Sequence, residues 1–135
     1  MPGPAPKKRI LIVDDEMDMR IFISTVFKTS GFEAMTAKNG DEGFKAAEKE
    51  SPDLIILDIM MPGEGGALMY KKLKSDSTLK SIPVIMVSAV GEETFNHYLT
   101  MLNTQADIPI PAPDAYIEKP PEANLVLETA MALLN

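Results

Sequence analysis

The run Leu54-Ile55-Ile56-Leu57, stopped by Asp58, constrains the fold more than any other stretch of the chain. A strand with one wet face alternates apolar and polar residues. Four apolar residues in succession, set off by the breaker Ser51-Pro52-Asp53, instead suit a short strand buried on both faces. Asp58 is followed by Pro62, Gly63, Gly65 and Gly66, so a loop opens at the acid. A carboxylate at the carboxyl end of a buried parallel strand stands where open α/β sheets bind ligands. The same acid could simply cap the next helix, so the rest of the chain must decide between the two.

Other apolar runs repeat the pattern. Arg9-Ile10-Leu11-Ile12-Val13 ends in Asp14-Asp15-Glu16, Val84-Ile85-Met86-Val87 ends in Ser88-Ala89, and Ala115-Tyr116-Ile117-Glu118 leads into Lys119-Pro120-Pro121. Residues 32–37 form a weaker strand candidate. Between these runs the period changes. Met19, Phe22, Ile23, Val26 and Phe27 line one face of a helix, which Gly31 ends in the C′ manner. Asn39, with Glu42 three residues on, opens a second helix through Phe44, Ala46 and Ala47 to about Glu50. A short third helix over 67–74 has Leu68 and Leu73 for burial, and 75–81 reads as loop. A fourth, from Glu92 to about Leu102, carries Phe95, Tyr98, Leu99 and Leu102. Pro109, Pro111 and Pro113 forbid regular helix over 103–114, a segment whose Ile108 and Ile110 have no evident place in a core. Pro121 suits the first turn of a last helix with Val126, Ala130, Leu133 and Leu134 on its apolar face. Alternation of five strands with five helices implies right-handed crossovers and a parallel sheet covered on both sides, an α/β fold.

The 135 residues suffice for one core and are short for two, and an apolar share of 45% excludes a disordered chain. With no cysteine there is no disulfide framework and no thiolate metal site. A net charge of −7 argues against nucleic acid as a partner, since phosphates would be repelled. No apolar run reaches membrane-spanning length, and the first residues lack the apolar middle of a signal peptide. A cytoplasmic protein is expected, with a flexible tail over 1–7 and a single domain over 8–135.

In a parallel sheet the polar residues that stop the strands gather on one edge. Asp14, Asp15 and Asp58 would repel one another there without a cation. A hard divalent ion with oxygen ligands, Mg²⁺ above all, suits them. Lys119 and the Ser88 hydroxyl add a positive charge and a donor beside it. Such a set can receive a phosphoryl group, with Asp58 as nucleophile. Each residue also has a plain structural role open to it: Asp14 and Asp15 could cap the first helix, Ser88 the fourth, and Lys119 could be a surface lysine.

Taken together, Ile12-Val13-Asp14-Asp15-Glu16, Leu57-Asp58 with Met61-Pro62 and Gly66, Val87-Ser88-Ala89 and Glu118-Lys119-Pro120 resemble the receiver domain of two-component response regulators. The resemblance runs from about Lys8 to Asn135 and implies the flavodoxin-like strand order 2-1-3-4-5. It implies a metal site of Asp14 or Asp15, Asp58 and the backbone carbonyl of Met60. It also implies Asp58 as phosphoacceptor, Ser88 as switch hydroxyl, Tyr116 as switch aromatic and Lys119 as the phosphate-contacting lysine. In that family the bond before the proline matching Pro120 is usually cis, which would aim Lys119 inward. Serine stands where threonine is commoner, and the thirty residues between Ser88 and Lys119 exceed the usual number. The chain ends with the fifth helix, so no output domain is expected.

A haloacid dehalogenase-type phosphatase needs a second acid two residues beyond the nucleophile, where Met60 stands. A flavodoxin-type binder needs a phosphate cradle where Asp14-Asp15-Glu16 would repel phosphate. The function expected is a phosphoacceptor switch rather than an enzyme, charged by a sensor histidine kinase or phosphotransfer protein. It would act on a downstream protein through the region Glu92–Tyr116, with neither nucleic acid nor membrane as partner. The alternative is a receiver-like interaction module that acts without phosphorylation. His97, the one histidine, falls in a helix away from the acids.

Overall fold

The computed structural model describes residues 6–60, 65–104 and 109–135. Five strands alternate with five helices: β1 (Arg9–Val13), α1 (Met17–Thr29), β2 (Glu33–Ala37), α2 (Gly40–Glu50), β3 (Leu54–Leu57), α3 (Gly66–Ser75), β4 (Val84–Ser88), α4 (Glu92–Asn103), β5 (Ala115–Glu118) and α5 (Ala123–Leu134). All pairings are parallel and the order is β2-β1-β3-β4-β5, as the resemblance implied.

The central strands are buried on both faces because the sheet carries helices on both. Side chains alternate along a strand, so each run splits between two cores. Ile10, Ile12, Leu54, Ile56, Ile85 and Val87 meet Ile23 and Phe27 of α1 and Val126 and Ala130 of α5. Leu11, Val13, Ile55, Leu57, Val84 and Met86 meet Ala47, Met69, Leu73, Phe95 and Leu99 from α2, α3 and α4. Local signals act where the sequence places them. Asn39 Oδ1 accepts from the Glu42 N–H at 2.8 Å and caps α2. Gly31 follows α1 at φ 91°, a conformation a side chain would strain.

Several expectations need correction. Leu68 is 45% exposed and does not enter the core. α3 starts at Gly66, whose missing side chain lets the helix lie against the Asp58 backbone. That contact turns Gly66, Met69, Tyr70 and Leu73 inward. Phe22, Tyr98 and Leu102 remain substantially exposed at the margins of their apolar faces. Leu79, within the expected loop, is buried, held by a turn in which Asp76 Oδ1 accepts from the Thr78 and Leu79 N–H groups. Pro121 precedes α5 rather than opening it.

Ile110 does have a place in the core. It is 8% exposed among the residues that join α4 to the sheet. Asn103 clamps it there: its Oδ1 accepts from the Ile110 N–H at 2.7 Å and its Nδ2 donates to the Ile110 carbonyl at 3.0 Å. Tyr70 Oη adds a bond of 2.6 Å to the Pro111 carbonyl. This end of the proline-rich segment is therefore fastened to the domain, which removes Ile110 from any partner-binding role. Residues 105–108, with Ile108, lie outside the described residues, as do Met61, Pro62, Gly63 and most of the expected tail.

Candidate functional site

The carboxyl ends of β1, β3, β4 and β5 meet on one edge, and their terminal residues form a compact polar pocket. Asp14 follows β1, where its N–H donates to the Ala37 carbonyl at 3.1 Å. Asp58 follows β3, where its N–H donates to the Val13 carbonyl at 2.9 Å. Each strand thus extends by one bond past its last apolar residue and delivers an acid to the edge. Both acids are buried, at 2% and 3% exposure. Neither caps a helix. α1 starts after Glu16 and α3 after Gly65, with no side-chain cap on either.

Lys119 occupies the middle of the pocket. Its ammonium lies 3.0 Å from Asp14 Oδ2, 3.2 Å from Asp58 Oδ2 and 2.7 Å from Glu16 Oε1. Its side chain is only 10% exposed, so it is no ordinary surface lysine. The Lys119–Pro120 bond is cis, and the Lys119 N–H donates to the Ser88 carbonyl at 2.8 Å. Burial pulls the ammonium pKa down, but Glu16, Asp14 and Asp58 outweigh it and hold Lys119 above the usual lysine range. Asp14 shows the opposite balance. Burial raises its carboxyl above the ordinary aspartate value, against the Glu16 N–H at 2.9 Å and Lys119, which favour the ion.

The other Asp58 oxygen, Oδ1, accepts from the Met60 N–H at 2.9 Å. Ser88 ends β4 fully buried, and its Oγ accepts from the Val90 N–H at 3.2 Å. It does not cap α4, which starts four residues later. Tyr116 is half-buried, its ring 5.3 Å from that of Phe95, and its hydroxyl donates to the Val90 carbonyl at 2.6 Å. Burial pushes that hydroxyl's pKa up. The ring is thus docked beside the β4–α4 turn. Met60 and Val90 line an apolar groove of about 380 Å³ with Ile59, Ala67, Thr94, Phe95 and Tyr98.

Asp14, Asp15, Glu16 and Asp58 each place a carboxylate oxygen within 4.8 Å of the others. An all-oxygen, multiply negative donor set of this kind fits a hard divalent cation. Glu16 was missed as a member of the set. It directly follows the two expected acids, but its part depends on Lys119, 103 residues away. Arg20, donating to the Asp14 carbonyl at 2.6 Å, was missed as well, since it lies on α1 and bonds the backbone rather than a carboxylate. His97 is exposed on α4, away from the acids.

Residues 10–127 match the response regulator receiver domain, and the chain belongs to that family. It is thus the receiver domain of a two-component response regulator. It is 41% identical over 86 residues to the phosphate regulon transcriptional regulatory protein PhoB of Pseudomonas aeruginosa, a match covering 64% of this chain and 38% of that protein. Against the probable transcriptional regulator ycf27 of Pyropia yezoensis the identity is 40%, over 64% of this chain and 34% of that one. The chain therefore matches well under half the length of these relatives. Among solved structures, chemotaxis protein CheY4 of Vibrio cholerae superposes with a TM-score of 0.82 at 25% identity, covering 96% of this chain and all of the other. A CheY-like receiver domain of Methanospirillum hungatei gives 0.77 at 28% identity, over 96% and 94% of the two chains. Among the described residues no helix is long and apolar enough to cross a membrane.

Proposed function

We propose that this receiver domain is a phosphoacceptor switch, in which Asp58 takes a phosphoryl group from the phosphohistidine of a sensor kinase or phosphotransfer protein. The observation that carries this reading is the Lys119 ammonium held 3.2 Å from Asp58 Oδ2 inside a cluster of acids. An Asp58 carboxylate oxygen attacks phosphorus, the phosphorus–nitrogen bond to the donor imidazole breaks, and the imidazole leaves with the bonding pair. Lys119 is placed to neutralise negative charge on the transferred oxygens. Ser88, one strand over, would turn its hydroxyl from the Val90 N–H to donate to a phosphate oxygen. The Met60 N–H keeps the second Asp58 oxygen oriented. Asp14, Asp15, Asp58 and the Met60 carbonyl would hold a divalent cation such as Mg²⁺. When bound, that ion supplies further neutralisation of phosphoryl charge.

The response would pass through Ser88 and Tyr116 to the region Glu92–Tyr116, the face offered to a downstream protein. The test is intact mass after incubation with Mg²⁺ and acetyl phosphate. The parent gains one phosphoryl group, a chelator abolishes the gain, and Asp58→Asn does not take it up. Equal uptake by Asp58→Asn would remove Asp58 as nucleophile. No uptake by the parent from either acetyl phosphate or phosphorylated kinases would favour an interaction module that works without phosphate.

A further inference from the structure

α4 has no cap of its own. Gly91 stands at its N-cap position and offers no side chain to the N–H groups of the first turn. One partner comes from β5: Glu118 Oε1 accepts from the Glu92 N–H at 3.1 Å, across 26 positions of chain. A second observation fits the first. A Cβ added at Gly91 would lie 3.0 Å from that same Oε1, so the carboxylate occupies the space an N-cap side chain would fill.

Glu118 and Tyr116 are two apart on β5 and share one face of the sheet. Both reach the start of α4, Tyr116 through the Val90 carbonyl and Glu118 through the Glu92 N–H. The next residue, Lys119, carries the ammonium that meets Asp14 and Asp58. The strand that delivers a cation to the acidic pocket thus also delivers the cap to α4.

We propose that Glu118 is a positioning residue, which caps α4 from outside and ties the start of that helix to β5. Through this tie the strand sets the stance of α4, whose exposed Tyr98 lines the apolar groove. That the tie carries a signal from Asp58 rests on the phosphoacceptor reading. The tie itself does not, and its test uses unphosphorylated protein without metal.

Three variants serve: Glu118→Ala, Glu118→Gln, and Glu118→Ala combined with Gly91→Ser. Glu118 is exposed, so all are expected to fold. The measurements are amide exchange across Glu92, Glu93 and Thr94 and the NMR shifts of the Tyr116 ring. In Glu118→Ala the Glu92 amide exchanges roughly fivefold faster, the equivalent of about one exposed hydrogen bond, and the Tyr116 ring resonances move toward those of free tyrosine. Glu118→Gln keeps an acceptor and returns both most of the way. In the double variant the serine caps its own helix and adds protection at Glu93 and Thr94, while the Glu92 amide stays fast and the Tyr116 ring stays displaced. Unchanged exchange in Glu118→Ala would overturn the proposal. So would recovery of the Tyr116 shifts in the double variant, which would make Glu118 a cap and nothing more.

Discussion

Replacing Lys119 by methionine keeps most of the side chain's volume and removes the one positive charge, among the described residues, that pairs with both buried carboxylates. At an effective dielectric of about 20, charges 3.0–3.2 Å apart attract by roughly 5 kcal/mol per pair. Most of that is offset by the several kcal/mol needed to take each ion out of water. What remains after truncation is the cost of leaving Asp14 and Asp58 facing each other uncompensated, for which about 3 kcal/mol is expected from comparable buried pairs. Urea unfolding at pH 7 in chelator should therefore show Lys119→Met about 3 kcal/mol less stable than the parent, with unchanged slope. The sign with pH follows from the groups. The folded pKa of Lys119 is raised, so its contribution is fully present below the ordinary lysine value and is lost only as pH rises through the raised one. The folded pKa of Asp14 is also raised, so its ion is a cost at neutral pH that is relieved as pH falls through that value. The variant should thus regain stability relative to the parent on going from pH 7 toward the carboxylate range, and again on adding Mg²⁺. A variant within 0.5 kcal/mol of the parent in chelator at pH 7 would refute the view that Lys119 is the pocket's internal counter-ion.

Gly66→Ala places a Cβ 1.9 Å from the Asp58 carbonyl oxygen, against backbone that cannot rotate away. A loss of about 3 kcal/mol by urea unfolding is expected, with slower uptake of phosphate from acetyl phosphate by the fraction that folds. Ile110→Ala should cost about 2–3 kcal/mol by the same measurement, whereas a purely connecting segment would tolerate it. Met60 and Val90 border the groove beside the site and offer a water no hydrogen bond from their side chains. Polar replacements at both should speed loss of phosphate from Asp58, followed by the decay of the phosphorylated mass.

Elements and their ends were legible where short-range chemistry settles them. The doubly buried run Leu54–Leu57 required a central strand, Asn39 announced α2 and Gly31 closed α1, because each depends on neighbours a few residues away. Asp14, Asp58, Ser88 and Lys119 were legible as a group for a related reason. Each directly follows or ends an apolar run, and in a parallel sheet the ends of such runs share an edge. The strand order came from resemblance, since alternation of strands and helices does not say which strands are neighbours.

Only the tertiary structure decided what each side chain meets. Periodicity reports how a residue points relative to its own element, not what stands opposite. Leu68 fits an apolar face on paper, yet the approach of Gly66 to Asp58 turns α3 so that Met69 and Tyr70 take its place. Ile110 sits in a proline-rich stretch without periodicity, and its burial depends on Asn103 and on the wall between α4 and the sheet. Glu16 and Glu118 stand in the motifs without a role of their own in the sequence. They make their contacts because β5 carries Lys119 to within 2.7 Å of Glu16 and sets Glu118 against a helix whose N-cap is glycine. Those contacts join residues 103 and 26 positions apart, and at such separations the packing of the sheet and its helices, rather than any local preference, determines which groups touch.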